Sequence, residues 1–369
     1  MSKNSIKALL VAIFSLLMVL FCNICTAQEI TTLPTERPTT EKKEGKLDPA
    51  KIIMDHIKDS HEFHFFSIGK FNASIPLPVI IYSRTNGLTE FSSSKFGEEG
   101  DVIYNGYGLD ENKQIYSSDG SKVYDFSITK NVVQMFIALA LLVWIMTSVA
   151  GKYKTGQGLT KAPTGLQNAI EPIITFVRDD VARPNLGKKA DKYLPYLLTV
   201  FFFILINNLV GLFPGSANVT GNTAFTAVLG VISLVVILFS TNRHFWGHIF
   251  WPPGVPFLVK IILIPIELAG VLLIKPAALI IRLFANMVAG HIIILSFIVL
   301  IFIFGGMATI AGYGFSPLSV AFAVFIYCIE ILVAFIQAFI FANLTAVFIG
   351  QSLEDGHGDG NGHDDAIIA

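Results

Sequence analysis

The chain has 369 residues, of which 53% are hydrophobic and 14% are charged. This composition excludes an ordinary soluble domain of similar size and predicts a polytopic membrane protein. The formal net charge of −1 carries little information, because the charged residues are crowded into a few segments. From Leu194 to Gly350 the charged residues are Arg243, Lys260, Glu267, Lys275, Arg282 and Glu330.

The first residues have the three regions of a secretory signal peptide. Lys3 and Lys7 precede the apolar run Ala8–Phe21, and small residues follow as far as Ala27. We expect residues 1–27 to be a signal peptide that is cleaved after Ala27. An uncleaved anchor helix is the alternative, although the run is shorter than the roughly 20 residues that a span needs.

Residues 28–130 differ in character and are expected to form an extracytoplasmic extension. Its start, Thr31–Lys46, is rich in Thr, Pro, Glu and Lys, which predicts a flexible lead-in. From Phe71 to Phe126, short β-rich runs alternate with hairpin-type turn signals, which predict a small β-rich region. The turn signals are Asn86-Gly87, Asn105-Gly106 and Asp119-Gly120.

Three histidines, His56, His61 and His64, lie in the segment Lys51–Phe66, which also has some helical spacing. Imidazole and carboxylate groups are competent metal ligands. A solvated polar segment is the simpler interpretation, and we expect no metal and no cofactor in this chain.

Five apolar runs predict about five membrane-crossing helices within residues 131–350. The runs are Asn131–Ala150, Tyr196–Phe213, Ala224–Ser240, Phe257–Phe304 and Pro317–Ile349. The basic loop Gly151–Tyr193 is cytoplasmic by the positive-inside rule, which agrees with a periplasmic mature N-terminus. Within this loop, apolar residues from Leu166 to Val177 recur at helical spacing and predict an amphipathic helix on the membrane surface.

The last two apolar runs are too long for upright helices. Phe257–Phe304 would measure about 70 Å at 1.5 Å per residue, about twice the hydrocarbon thickness. It forms either a hairpin with a turn near Lys275-Pro276 or a long, tilted element, and we expect both runs to be tilted. Glycines at Gly305-Gly306 and Gly312-Tyr313-Gly314 predict the outer turn between the runs. Residues 351–369 are expected to be a disordered cytoplasmic tail.

Buried ionisable groups in the last two runs predict an ion path. An arginine at the centre of a spanning helix costs roughly 2.5 to 3.5 kcal/mol on insertion scales, so Arg282 is expected to be functional. Asn286 follows Arg282 by four residues, and Gln337 follows Glu330 by seven, so each pair shares a helix face. Arg282 stays charged, whereas His291 and Glu330 exchange protons in an accessible pH range.

Three separated stretches also carry a family resemblance. They are Phe201-Phe202-Phe203-Ile204 with Asn208-Leu209 and Gly211-Leu212-Phe213-Pro214; Lys275-Pro276 with Arg282-Leu283-Phe284-Ala285-Asn286-Met287 and Ala289-Gly290-His291; and Glu330 with Gln337-Ala338-Phe339-Ile340-Phe341. Together they resemble subunit a of the rotary F-type ATP synthase, over roughly Lys130 to Gly350. The extension before Lys130 is outside the resemblance.

The resemblance implies a stator subunit with two offset half-channels beside a rotating ring of c subunits. Arg282 would attract the ring carboxylate and block a direct leak, and the outer half-channel would be lined by Asn286, His291, Glu330 and Gln337. The implied partners are the c ring, peripheral-stalk b subunits, the soluble F1 sector and the lipid membrane, with no nucleic acid. The implied location is the bacterial inner membrane. The sidedness of the loops predicts a cytoplasmic C-terminus. The sequence leaves H⁺ and Na⁺ open as the ion, and the pair of His291 and Glu330 favours H⁺.

Glu267 departs from the family pattern. Members usually carry a glutamate seven residues before the Lys275 position, where this chain has Leu268. A one-residue bulge in the helix would restore the direction of Glu267; without one, Glu267 faces about 100° away. Glu267 and Lys275 are therefore candidates for a cytoplasmic path or interface, and a snorkelling role is the simpler explanation for Lys275.

Each site residue also has a purely structural interpretation. Arg282 could form an ion pair with Glu267 or Glu330, His291 and Glu330 could only bond to each other, and Asn286 and Gln337 could be interhelical contacts. The rival function is a self-contained secondary ion transporter, although no repeated halves are visible. The sequence has no nucleotide-binding loop, so we expect no ATP hydrolysis by the chain itself.

Overall fold

The computed structural model describes residues 53, 58–68, 71–97, 102–110, 113–156, 162–213, 215–241, 243–250, 257–307 and 309–353. The predicted signal peptide, the flexible lead-in, His56 and residues 354–369 of the predicted tail lie outside these residues. Gln351–Leu353, the first residues of that tail, are helical. The chain forms two compact units. The first comprises the described residues of Met1–Trp144, Phe203–Val228 and Arg282–Ile336, and the second those of Ile145–Phe202, Leu229–Ile281 and Gln337–Ala369.

The first unit contains the predicted β-rich region, which is confirmed. Its strands are β1 (Glu62–Ile68), β2 (Phe71–Pro76), β3 (Pro78–Ser83), β4 (Gly87–Ser92), β5 (Tyr107–Leu109), β6 (Ile115–Ser117) and β7 (Val123–Asp125). They pair antiparallel as β1-β2, β4-β3-β7 and β5-β6.

Alternation and turn chemistry explain this region. Val79 and Ile81 on β3 point into a core with Phe96, Tyr107 and Ile115, because successive strand residues face opposite sides. Asn105 and Gly106 both have positive φ, at 51° and 80°, as the tightest hairpin turns require. The turn signal at Asn105-Gly106 is thus confirmed.

The expectation of a solvated polar segment is wrong for His61. Its side chain is buried, and Nε2 lies 2.7 Å from Oδ2 of Asp125 at the end of β7. Burial opposes ionisation of Asp125, but the hydrogen bond and charge of His61, with hydrogen bonds from Ser127, hold its pKa below the usual value. The contact between His61, which directly precedes β1, and Asp125 therefore links the start of β1 to β7.

The helices are α1 (Lys130–Lys154), α2 (Leu166–Phe176), α3 (Arg183–Leu186), α4 (Ala190–Gly211), α5 (Thr223–Ser240), α6 (Arg243–Phe250), α7 (Phe257–Ala269), α8 (Lys275–Met307) and α9 (Thr309–Leu353). Short π-helical segments, Val177–Ala182 and Gly270–Ile274, join α2 to α3 and α7 to α8. Gly187, with φ of 52°, ends α3 in a conformation that a side chain would strain.

Five helices in the described part of the chain are long and apolar enough to cross a membrane, which confirms the predicted number. They are Lys130–Lys154, Leu166–Gly211, Thr223–Ser240, Val259–Met307 and Gly312–Leu353. The predicted amphipathic helix is present as α2, which continues toward α4; its position on a membrane surface stays a prediction.

The two long runs are continuous helical elements. No turn occurs near Lys275-Pro276, because the π-helical segment leads directly into α8, so the long element is the observed alternative to the hairpin. The predicted glycine turn is wrong in its position: α8 runs through Gly305 and Gly306 to Met307, and α9 starts at Thr309. A Cβ on Gly312 would lie 2.7 Å from the α-carbon of Gly305, so Gly305 and Gly312 let the two helices touch.

Candidate ion-path site

Arg282 lies on the outward face of α8. Leu283 and Met287, four residues apart on the opposite side of the helix, are 1% and 3% exposed, whereas Arg282, Ala285 and Asn286 are exposed. Among the described residues, Arg282 has no ion pair or hydrogen bond. The fixed charge therefore faces away from the unit that carries it, beside apolar and small side chains.

His291 lies between two backbone carbonyls of the first unit. Its Nδ1 is 3.0 Å from the carbonyl oxygen of Met287, and its Nε2 is 3.2 Å from that of Gly211 at the end of α4. Both partners can only accept, and a neutral imidazole has a single N–H. Both contacts are hydrogen bonds only when the ring carries two protons, and a neutral ring donates to one of the two carbonyls.

Glu330 on α9 packs against the backbone of Gly290. The carboxyl group is buried, and a Cβ on Gly290 would overlap Oε1 of Glu330. Its other oxygen, Oε2, is buried and has no hydrogen-bond partner among the described residues. The ring nitrogens of His291 contact the two carbonyls and not Glu330, although Glu330 touches the residue that precedes His291.

The remaining predicted site residues belong to the second unit. Gln337 is 4% exposed. Lys275 donates from Nζ to Oε1 of Gln351 at 2.9 Å, and Nζ lies 4.8 Å from the ring centre of Phe348. Glu267 is half-buried and close enough to interact electrostatically with Lys275.

The bulge that Glu267 needs is present. The π-helical segment Gly270–Ile274 lies between Glu267 and Lys275, and a π-bulge accommodates one extra residue within a helix. The spacing of eight residues in this chain therefore gives Glu267 the direction that a spacing of seven gives in a regular helix. The bulge therefore removes the argument from direction against a path role for Glu267. That role stays a prediction.

Polar residues that the sequence argument did not single out connect the helices of the first unit. The Gln134 side chain on α1 bonds both the N–H and the carbonyl of Ala217, in the connector after α4. The Asn218 amide donates to the Met287 carbonyl at 3.5 Å, and the Asn208 amide donates to the Ala334 carbonyl at 3.4 Å. A glutamine within an apolar span is a signal that could have identified Gln134.

Several buried oxygen atoms of the first unit lack a hydrogen-bond partner in the part of the chain that the structure describes. They are Oδ1 of Asn131, Asn207 and Asn208, Oγ1 of Thr220 and Oε2 of Glu330. Buried polar groups are almost always satisfied, by protein or by water. These oxygen atoms, in the unit that carries His291 and Glu330, are therefore candidates for hydrogen bonds with water.

Comparison with known proteins decides the family. The family described as ATP synthase A chain matches residues 132–350, more than half of the chain. The chain belongs to this family. It is accordingly a multi-pass membrane subunit of an ATP synthase, which is a component of a complex rather than an enzyme by itself, and the family resemblance of the three stretches is confirmed.

Relatives within the family agree. ATP synthase subunit a of Chloroherpeton thalassium is 46% identical over 249 residues, which cover 65% of this chain and 71% of the relative. The subunit a of Chlorobium phaeobacteroides strain BS1 is 38% identical over 319 residues, or 85% and 79% of the two chains. That of Anaeromyxobacter dehalogenans is 40% identical, over 65% of this chain and 61% of the relative. A second family, a domain of unknown function (DUF8433), matches residues 52–135.

Proposed function

We propose that this chain is the Fo stator subunit that forms two offset proton half-channels against a rotating c ring, so that proton flow across the membrane drives rotation and ATP synthesis. Arg282 is the fixed positive charge that meets the ring carboxylate and prevents a leak between the half-channels. Asn286, His291, Glu330 and Gln337 line the outer half-channel. Glu267 and Lys275 contribute to the cytoplasmic path.

The observation that carries this proposal is the outward position of Arg282. An unpaired charge at membrane depth costs several kcal/mol unless a partner or water meets it. Arg282 faces away from its own unit, and its guanidinium group carries a positive charge. A carboxylate on another subunit is the partner that compensates this charge.

The buried polar atoms support a hydrated outer path. His291 gains its second hydrogen bond only on protonation, and Glu330 keeps one carboxylate oxygen free of partners among the described residues. Two titratable groups on adjacent helices favour H⁺ over Na⁺ as the ion. Water molecules that satisfy the neighbouring amide and hydroxyl oxygens would link these groups to the outside.

The topology of the proposal follows from charge and processing signals. Residues 1–27 are a signal peptide, 28–130 a periplasmic extension, 131–350 the channel domain and 351–369 a cytoplasmic tail. The basic loop from Gly151 to Tyr193 is cytoplasmic. The chain resides in a bacterial inner membrane, and its partners are the c ring, the b subunits of the peripheral stalk and, through the complex, the soluble F1 sector.

Substitution of Arg282 tests the proposal. In Arg282→Ala we expect complete loss of ATP-driven proton pumping in membrane vesicles, with normal amounts of the c ring and F1 subunits co-purifying. Ile293→Ala, at another exposed position of α8, is the matched control and should pump at the wild-type rate. Coupled pumping by Arg282→Ala at the wild-type rate would rule out the proposed role.

A further inference from the structure

Asp59, in the extracytoplasmic region, caps the first membrane helix. Its Oδ1 accepts hydrogen bonds from the backbone N–H groups of Ser60, at 2.9 Å, and of Asn131, at 3.3 Å. The N–H of Lys130 donates to the Ser60 carbonyl at 3.0 Å. A carboxylate is favourable at a helix N-terminus, where N–H groups lack partners. The extension thus places a carboxylate at the outer end of α1.

A small cavity adjoins this carboxylate. It has a volume of about 20 Å³ and its polar lining comes from Asp59, Thr129, Asn131 and Asn222, the last of which precedes α5. This volume is sufficient for a water molecule, which needs about 10 to 15 Å³. Oδ1 of Asn131 belongs to a residue that is 8% exposed and has no hydrogen-bond partner among the described residues. A residue that lines the cavity therefore has an unsatisfied buried acceptor, which a water molecule would satisfy.

Polar groups continue from the cavity toward His291. Gln134 lies one helical turn beyond Asn131 on the same face of α1 and bonds the backbone of Ala217. The next residue, Asn218, reaches the Met287 carbonyl. That carbonyl also lies within hydrogen-bonding distance of Nδ1 of His291. Every member of this series belongs to the first unit.

We propose that Asp59 is the outermost proton-accepting group of the outer half-channel, and that the cavity beside Asn131 holds the water that relays its proton inward. The carboxylate takes a proton from periplasmic water and releases it to the cavity water, so it is regenerated unchanged. This inference rests on the proposed function. It assigns the extracytoplasmic region a part in proton transfer in addition to a structural one.

The electrostatics of Asp59 fit this role. Burial raises its pKa above the usual value, against the opposing effects of hydrogen bonds from Thr129, Asn131 and Ser60 and of the positive charge of Lys130. A raised pKa brings proton uptake and release closer to the pH of the periplasm. An acid–base group transfers protons most efficiently when its pKa lies near the working pH.

The test separates the carboxylate as a helix cap from the carboxylate as a proton carrier. Asp59→Asn keeps an oxygen acceptor at the end of α1 but cannot carry the proton, whereas Asp59→Glu keeps the acid. Glu90→Gln removes an exposed carboxylate from β4 and serves as the control. The measurement is the initial rate of ATP synthesis by the reconstituted complex after a proton gradient is imposed, per assembled complex.

We expect Asp59→Asn to be several-fold slower, and Asp59→Glu and Glu90→Gln to be close to the wild type. A wild-type rate in Asp59→Asn would overturn the inference. If Asp59→Asn fails to assemble, Asn131→Leu takes its place: it fills the cavity and should slow synthesis, and a wild-type rate would overturn the inference equally. Arg282→Ala, measured in parallel, reports on the proposed function itself, so the two failures are distinguishable.

Discussion

At the scale of single residues, Gly290 fixes the position of the Glu330 carboxyl group. A side chain at this position of α8 would occupy the space of Oε1. The carboxyl group is buried on α9, and it has little room to move in a packed interior. The absence of a Cβ at Gly290 is therefore part of the candidate path, because it lets an acid approach the residue beside His291.

We expect Gly290→Ala to displace the Glu330 carboxyl group and to lower ATP-driven pumping strongly, while the complex still assembles. Gly306→Ala is the matched control on the same helix, since a Cβ there meets nothing within 4 Å. Pumping rates in vesicles, normalised to the amount of complex, compare the two variants. Equal rates in both would show that the contact between Gly290 and Glu330 has no role in proton flow.

At the scale of elements, the π-helical segment Gly270–Ile274 sets the relative directions of Glu267 and Lys275. Each residue in an α-helix turns the chain by about 100°. The π-helical segment accommodates one extra residue. The helices on either side therefore keep the relative rotation that they would have in a regular helix one residue shorter. Arg282 lies beyond the segment, within the regular helix α8.

Two single-residue deletions test this interpretation. Deletion of Leu272 from the segment should restore a regular helix, leave the directions of Glu267 and Arg282 unchanged, and retain pumping. Deletion of Ala278, which is also exposed but lies in the regular part between Lys275 and Arg282, should rotate the flanking parts of the helix by about 100° relative to each other and abolish pumping. The interpretation is contradicted if the Leu272 deletion is as damaging as the Ala278 deletion.

Long apolar runs and the Asn105-Gly106 turn were the features that the sequence predicted well. Five apolar runs gave the five candidate spans, because a membrane requires helices of a minimum length. Asn105-Gly106 gave a hairpin turn, because few other residues adopt positive φ. The turn between α8 and α9 was misplaced because Gly305 and Gly312 lie at a contact between the two helices. In a sequence, glycines at a helix contact cannot be told from glycines in a turn.

Ionisable residues within an apolar run are visible in the sequence, whereas the contacts between distant residues are not. Arg282, His291 and Glu330 stand out in the sequence, since ionisable groups at membrane depth are costly. The contacts of Gln134 with Ala217, and of Asp59 with Asn131, join residues that are far apart in the chain. Such contacts depend on tertiary packing, which one sequence does not encode in any local pattern.

At the scale of the whole molecule, the chain combines a small β-rich region with helices that expose much apolar surface. The exposed apolar residues are concentrated on the last long helices, for example Phe302, Val324 and Leu332. Exposed surface of this kind suits lipid or a neighbouring subunit. The face of α8 that carries Arg282 is the part of this surface that the proposed function assigns to the c ring.

Cross-linking along α8 tests this assignment most directly. In a background with Cys328, Cys22 and Cys25 replaced by Ser, cysteines are placed at the exposed Ala285 and Ala289 and, as controls, at the buried Leu283 and Met287. Each is oxidised in the assembled complex against a cysteine beside the ring carboxylate. We expect disulfides from the exposed pair and none from the buried pair; absence of cross-links from the exposed pair, or their presence only with the buried pair, would contradict the account.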